Sequence, residues 1–145
     1  MKSSIVFFDT SINSKRGTLR GLVIFPIYII LTLVWLLFTK KSLYDKHIDN
    51  VSKDRLWIAM GISALFIVSA IAVQTPDTLQ KAVVYSGLVG LVVYGVTNVS
   101  MLATSKKWNY SISLIDTIWG TLSTALLGYI LYVVVNKYPT IFSVV

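Results

Sequence analysis

Residues 86–128, SGLVGLVVYGVTNVSMLATSKKWNYSISLIDTIWGTLSTALLG, decide how this chain folds. Two apolar runs flank a short basic loop that contains Lys106, Lys107 and Trp108. In the first run Ser86, Gly90, Tyr94 and Asn98 recur at every fourth position, and in the second Asp116, Gly120, Thr124 and Gly128 do the same. A four-residue step returns to one face of an α-helix, so each run carries a stripe of small or polar groups. Lipid supplies no hydrophobic force between helices. They associate where small residues let backbones approach and polar groups meet, so the two stripes are expected to face each other, as ordinary packing faces do. Asn98 stands about five residues before the loop and Asp116 about five after it, which puts them at one depth in an antiparallel hairpin. The two are predicted to be neighbours, with Asn98, Thr97 or Tyr94 donating to the carboxyl.

The rest of the chain has the same character. Of its 145 residues 55% are hydrophobic and only 13% charged, against roughly a quarter charged in soluble domains, and mean hydropathy is +0.74. A water-soluble core cannot absorb that much apolar surface. The fold class expected is all-α: an integral membrane four-helix bundle with short loops. Residues 1–20 read as a polar basic N-terminal segment, and residues 21–145 as the membrane domain. Its spans lie at about 21–39, 56–73, 76–102 and 112–135, each long enough for a hydrocarbon layer of roughly 30 Å. Pro26 falls near the start of the first span, where it costs least. Thr75, Pro76 and Asp77 read as cap, first position and first turn of the third helix. No small-residue cleavage site follows the first apolar run, which argues against a secretory signal.

The net charge of +7 comes from 13 Lys and Arg against 6 acids, and the basic residues lie almost wholly outside the spans. They read as headgroup-facing flanks; no element outside the membrane is large enough to read a nucleic-acid groove. Four crossings divide the basic residues six to seven between the two sides, so they do not set an orientation. Trp35, Trp57, Trp108 and Trp119 all fall toward one side, as an asymmetric aromatic belt.

Candidate chemistry is sparse. With no cysteine there is no disulfide, thiolate nucleophile or thiolate metal site. Every acid is an aspartate, and Asp116 is the only one within a span. An intramembrane acid is by default a proton or cation site. Alternatively, Ser113-Leu114-Ile115-Asp116 fits a capping box that would put Asp116 at a helix start. His47, alone in a polar loop, reads as a solvated residue. No phosphate loop, zinc helix, serine elbow or selectivity filter occurs, so no cofactor, metal or catalytic residue is expected.

At Tyr94-Gly95-Val96-Thr97-Asn98 and Ser113-Leu114-Ile115-Asp116-Thr117-Ile118-Trp119-Gly120 the chain resembles the domain-of-unknown-function family 2177. These are small four-span membrane proteins of bacteria and of large DNA viruses of eukaryotes. Trp108 matches as the end of the loop, Trp35-Leu36 and Tyr44 are weaker echoes, and the likeness runs from about Leu22 onward. The family pattern implies an acid three residues before the first-span tryptophan and another two before the Thr-Asn pair. Thr32 and Gly95 stand there instead. The resemblance therefore implies a retained architecture with any carboxyl chemistry lapsed.

Three functions are weighed. The leading one is a non-enzymatic structural or interaction protein that anchors an assembly to a membrane, with the viral branch of the resemblance suggesting a minor capsid protein in the internal membrane of a virion. Its partners would be membrane lipid and other membrane or capsid proteins, not nucleic acid, with oligomers allowed. Phe7, Phe8, Lys15, Arg16 and Arg20 would be the partner-contacting residues. The second is a small proton-coupled transporter acting as a homodimer through Asp116. The third, a lipid-modifying enzyme, lacks an acid and base pair in any span.

Overall fold

The computed structural model describes residues 10–44, 53–74 and 76–143. Helix α1 spans Thr10–Thr39 and runs on into a π-helical turn, Lys40–Tyr44. Helix α2 covers Lys53–Ala72, α3 Leu79–Thr104, α4 Tyr110–Lys137, and a short α5 Pro139–Ser143. Among the described residues no strand occurs. Helices are what lipid demands, because every backbone N–H and C=O must then be satisfied within its own segment.

Three segments are long and apolar enough to cross a bilayer: Arg16–Thr39, Leu79–Thr104 and Tyr110–Lys137. The apolar stretch of α2, Met60–Ala72, is shorter. The whole of α2 is 20 residues, roughly 30 Å at 1.5 Å per residue, and its charged first turn would sit at headgroup level. The surface is inverted relative to a soluble protein. Leu37 is 83% exposed and Phe38 79%, whereas Thr124 is 0%, Ser86 1% and Asn98 2% exposed. Large apolar side chains outside and small hydroxyls inside is the distribution that a hydrocarbon solvent selects.

The α3–α4 hairpin is the most extensive interface, and the two stripes form it. An added Cβ at Gly128 would meet Ser86 Oγ and come within 2.5 Å of the Ala82 carbonyl; at Gly90 it would meet Thr124 Oγ1 and come within 2.5 Å of the Gly120 carbonyl. At Gly120 it would enter the Tyr94 ring. Ser86 thus faces Gly128, Gly90 faces Thr124, Tyr94 faces Gly120, and Asn98 faces Asp116. Each step of four along α3 is matched by four back along α4, the register of an antiparallel pair. Helix α1 packs on α2 and α4, burying Ile24 and Tyr28 against Ile67, Val68, Ile71, Leu127 and Leu131.

Four local expectations change. Helix α1 starts at Thr10, so half of the supposed polar tail is helical and Pro26 lies in the helix interior, where it removes an N–H from the ladder and leaves the Leu22 carbonyl without that partner. Helix α3 is capped by Thr78, whose Oγ1 accepts from the Lys81 N–H. Pro76 and Asp77 precede it, and Thr75 lies outside the described residues. Helix α4 is capped by Asn109, whose Oδ1 accepts from the Ile112 N–H at 3.1 Å. The capping box is therefore not formed: Ser113 is inside α4 with a buried hydroxyl that has no partner, and Asp116 lies beyond the first turn. Asparagine satisfies the orphan N–H groups one turn earlier than the serine would have.

Candidate functional site

Asp116 lies where α1, α3 and α4 meet at the loop end of the hairpin. Its Oδ2 accepts from Asn98 Nδ2 at 2.9 Å and its Oδ1 from the Tyr44 hydroxyl at 2.5 Å. Asn98 Nδ2 also donates to the Tyr94 carbonyl at 2.9 Å, one turn back on its own helix, and its Oδ1 accepts from Trp108 Nε1 at 3.1 Å. Trp35 Nε1 donates to the Tyr44 oxygen at 3.0 Å. Two donors from different elements thus reach the two carboxylate oxygens, and each donor residue is held by an indole N–H.

Aromatic rings enclose this cluster. Trp35 and Trp119 stack at 4.6 Å with planes 6° apart, and Tyr44 tilts against Trp108 at 6.0 Å. The π-helical turn that follows Thr39 carries the Tyr44 ring to this face. Toward the bundle centre the Tyr94 hydroxyl meets that of Tyr28 at 2.9 Å. An aspartate well inside a membrane helix costs about 2.5–3.5 kcal/mol, and hydrogen bonds to a charged group contribute about 1.5–3 kcal/mol each. Two such bonds are enough to hold the carboxyl here.

Asn98 and Asp116 meet as their equal depth requires, but the other expected donors go elsewhere. Thr97 Oγ1 bonds to the Val93 carbonyl on an exposed face, and the Tyr94 hydroxyl is used by Tyr28. The donor that the sequence did not suggest is Tyr44, 72 positions away in the chain. The tryptophans differ in their surroundings: Trp57 is exposed, while Trp108 is buried and Trp35 and Trp119 are half-buried in the stack. Thr32 bonds back to the Tyr28 carbonyl, and a Cβ at Gly95 would meet nothing within 4 Å.

Gly90, Gly120, Thr124 and Gly128 form the hairpin interface described above. Of the suggested partner-contacting residues, Phe7 and Phe8 lie outside the described residues, as does His47, and the Lys15 side chain is not described. Arg20 is engaged within the chain, its Nη1 donating to the Gln74 carbonyl at 2.8 Å. Among the described residues no cluster of three or more metal-ligating side chains occurs.

A bundle of spanning helices with an apolar exterior and small and polar groups along its hairpin seam is an integral membrane protein. The family model of predicted membrane proteins DUF2177 matches residues 19–133, and the chain belongs to that family. No curated protein and no solved structure matches it. Of the residues quoted above for the resemblance, Trp35, Tyr44, Asn98, Trp108, Asp116 and Trp119 are scattered in sequence but meet in this one cluster, whereas Thr97 lies on an exposed face.

Proposed function

We propose that the protein is a non-enzymatic structural or interaction protein, a bundle that anchors a larger assembly to a membrane. The supporting observation is the state of Asp116, both of whose oxygens accept hydrogen bonds from within the chain. A carboxyl that turns over substrate must exchange partners. This one is clasped by α3 and by the turn after α1, with two indoles holding the clasping groups, so its work is to fix helices. The absent acids at Thr32 and Gly95 point the same way. The viral branch of the resemblance extends the reading to a minor capsid component in the internal membrane of a virion, with lipid and capsid proteins as partners.

Photo-crosslinking from Phe8 in the native membrane tests this: adducts to a defined protein layer are expected, and adducts to lipid alone would overturn it. A second reading, a proton-coupled homodimeric transporter, is favoured by the hydroxyl pair of Tyr94 and Tyr28 inside the bundle. Dissipation of a pH gradient by the chain in vesicles, lost in Asp116→Asn, would support it. The anchoring role requires no such flux.

A further inference from the structure

The end of the bundle opposite Asp116 contains a cavity of about 140 Å³. Arg20, Gln74, Ser86 and Asn136 supply polar groups to its lining, and Ile71 and Leu131 are among the apolar ones. Arg20 Nη1 is engaged by the Gln74 carbonyl, but Arg20 Nε is buried with no hydrogen-bond partner. Arg16 Nε, one turn earlier on α1, is buried and unpartnered as well. Buried N–H groups left without an acceptor are rare and call for a water or an ion.

Charge points to an ion. No acid is among the residues that line the cavity, and Asp77, next to the lining residue Pro76, is paired with Lys81 at 2.9 Å. Two guanidiniums one turn apart repel each other and offer a fork of donors suited to oxyanions. Arg16 begins the spanning part of α1 and Lys137 ends that of α4, so the cavity lies at headgroup depth. A single water needs about 10–15 Å³ by the same measure; the space admits a tetrahedral oxyanion with apolar wall to spare.

We propose that this cavity binds the phosphate group of an anionic ligand at the bilayer surface, held by Arg20, with Arg16 one turn away adding positive charge and with Ser86 and Asn136 on the cavity wall. Phosphate of this kind comes from a lipid headgroup or from solution. The test uses the full chain in detergent micelles, titrated separately with phosphatidic acid, phosphatidylcholine and inorganic phosphate, and read by native mass spectrometry and melting temperature.

Phosphatidic acid is expected to bind and raise the melting temperature where phosphatidylcholine does not. Inorganic phosphate doing the same identifies a free-phosphate site, and its failure beside lipid binding identifies a headgroup site. Arg20→Gln should weaken binding at least about tenfold, the worth of a hydrogen bond to a charged group. Since Arg20 also closes the bundle, Asn136→Asp is the second variant. It changes an exposed residue on the cavity wall, should leave the fold intact, and should expel the anion by like charge. Binding unchanged in Asn136→Asp would reduce the effect to general attraction between a basic surface and anionic lipid and overturn the proposal, as would absence of binding by both phosphatidic acid and inorganic phosphate.

Discussion

The bundle meets the bilayer surface at two ends, and the polar groups at the two are balanced differently. Around Asp116 a carboxylate is matched by donors from Tyr44 and Asn98, and those donors are in turn held by Trp35 and Trp108. Among the described residues, the one buried side-chain N or O atom without a partner there is the neutral hydroxyl of Ser113. Around Arg20 the imbalance is cationic: the Nε–H groups of Arg20 and Arg16 are buried with no acceptor, and a cavity lies beside Arg20. A charged cluster whose donors and acceptors cancel can fix helices. One with donors left over has binding capacity.

What joins the two ends is the α3–α4 seam, so the largest effect comes from prising it apart. In Gly90→Ala the new Cβ meets Thr124 Oγ1 and the backbone of Gly120, which cannot rotate away, and the helices must separate. Overpacking of this kind costs about 1–3 kcal/mol. Gly95→Ala, with nothing within 4 Å of its Cβ, should cost nothing. Unfolding in detergent, followed by tryptophan fluorescence, should rank Gly90→Ala well below both Gly95→Ala and the parent. Equal stabilities for the two alanine variants would mean that the stripes do not face each other, and the two ends would then have to be treated as independent.

Next comes a substitution that touches one end alone. Asn98→Leu removes a donor to Asp116 and the acceptor of the Trp108 indole, leaving a buried Nε1–H unsatisfied. The expected loss is about 1–3 kcal/mol, with a change in Trp108 emission, while anion binding at the Arg20 end persists. If anion binding fell in step with stability, the separation between the ends would be false.

The hairpin was legible in the sequence because its information is local. Four-residue ladders and equal distance from one loop are properties of consecutive residues, and they are enough to set Ser86 against Gly128 and Asn98 against Asp116. Contacts across non-adjacent helices were not legible. How α1 leans on the hairpin decides that Tyr44 reaches Asp116 and that Trp35 stacks on Trp119. No periodicity encodes that lean. Helix starts went astray for a related reason: Thr75 and Thr78, or Asn109 and Ser113, are equally good caps as residue types, and packing of the following turn selects between them.

The smallest effect concerns the rim of the Arg20 end. Asp77 accepts from Lys81 Nζ at 2.9 Å across one helical turn, both side chains being well exposed. The hydrogen bond from Lys81 is the main cause that holds the Asp77 carboxyl below its ordinary value, helped by backbone N–H groups. A carboxyl whose pKa is depressed by folding stabilises the fold above its unfolded pKa, about 3.9, and loses that contribution as pH falls through the lower folded value. Parent and Asp77→Asn should therefore differ slightly in melting temperature at pH 7 and converge as pH falls through the depressed folded value. Exposed pairs contribute little, so this change should be far smaller than that in Asn98→Leu. A large gap at pH 7 would mean that Asp77 is coupled to the guanidiniums of the neighbouring cavity, which would then be less cationic than its lining indicates.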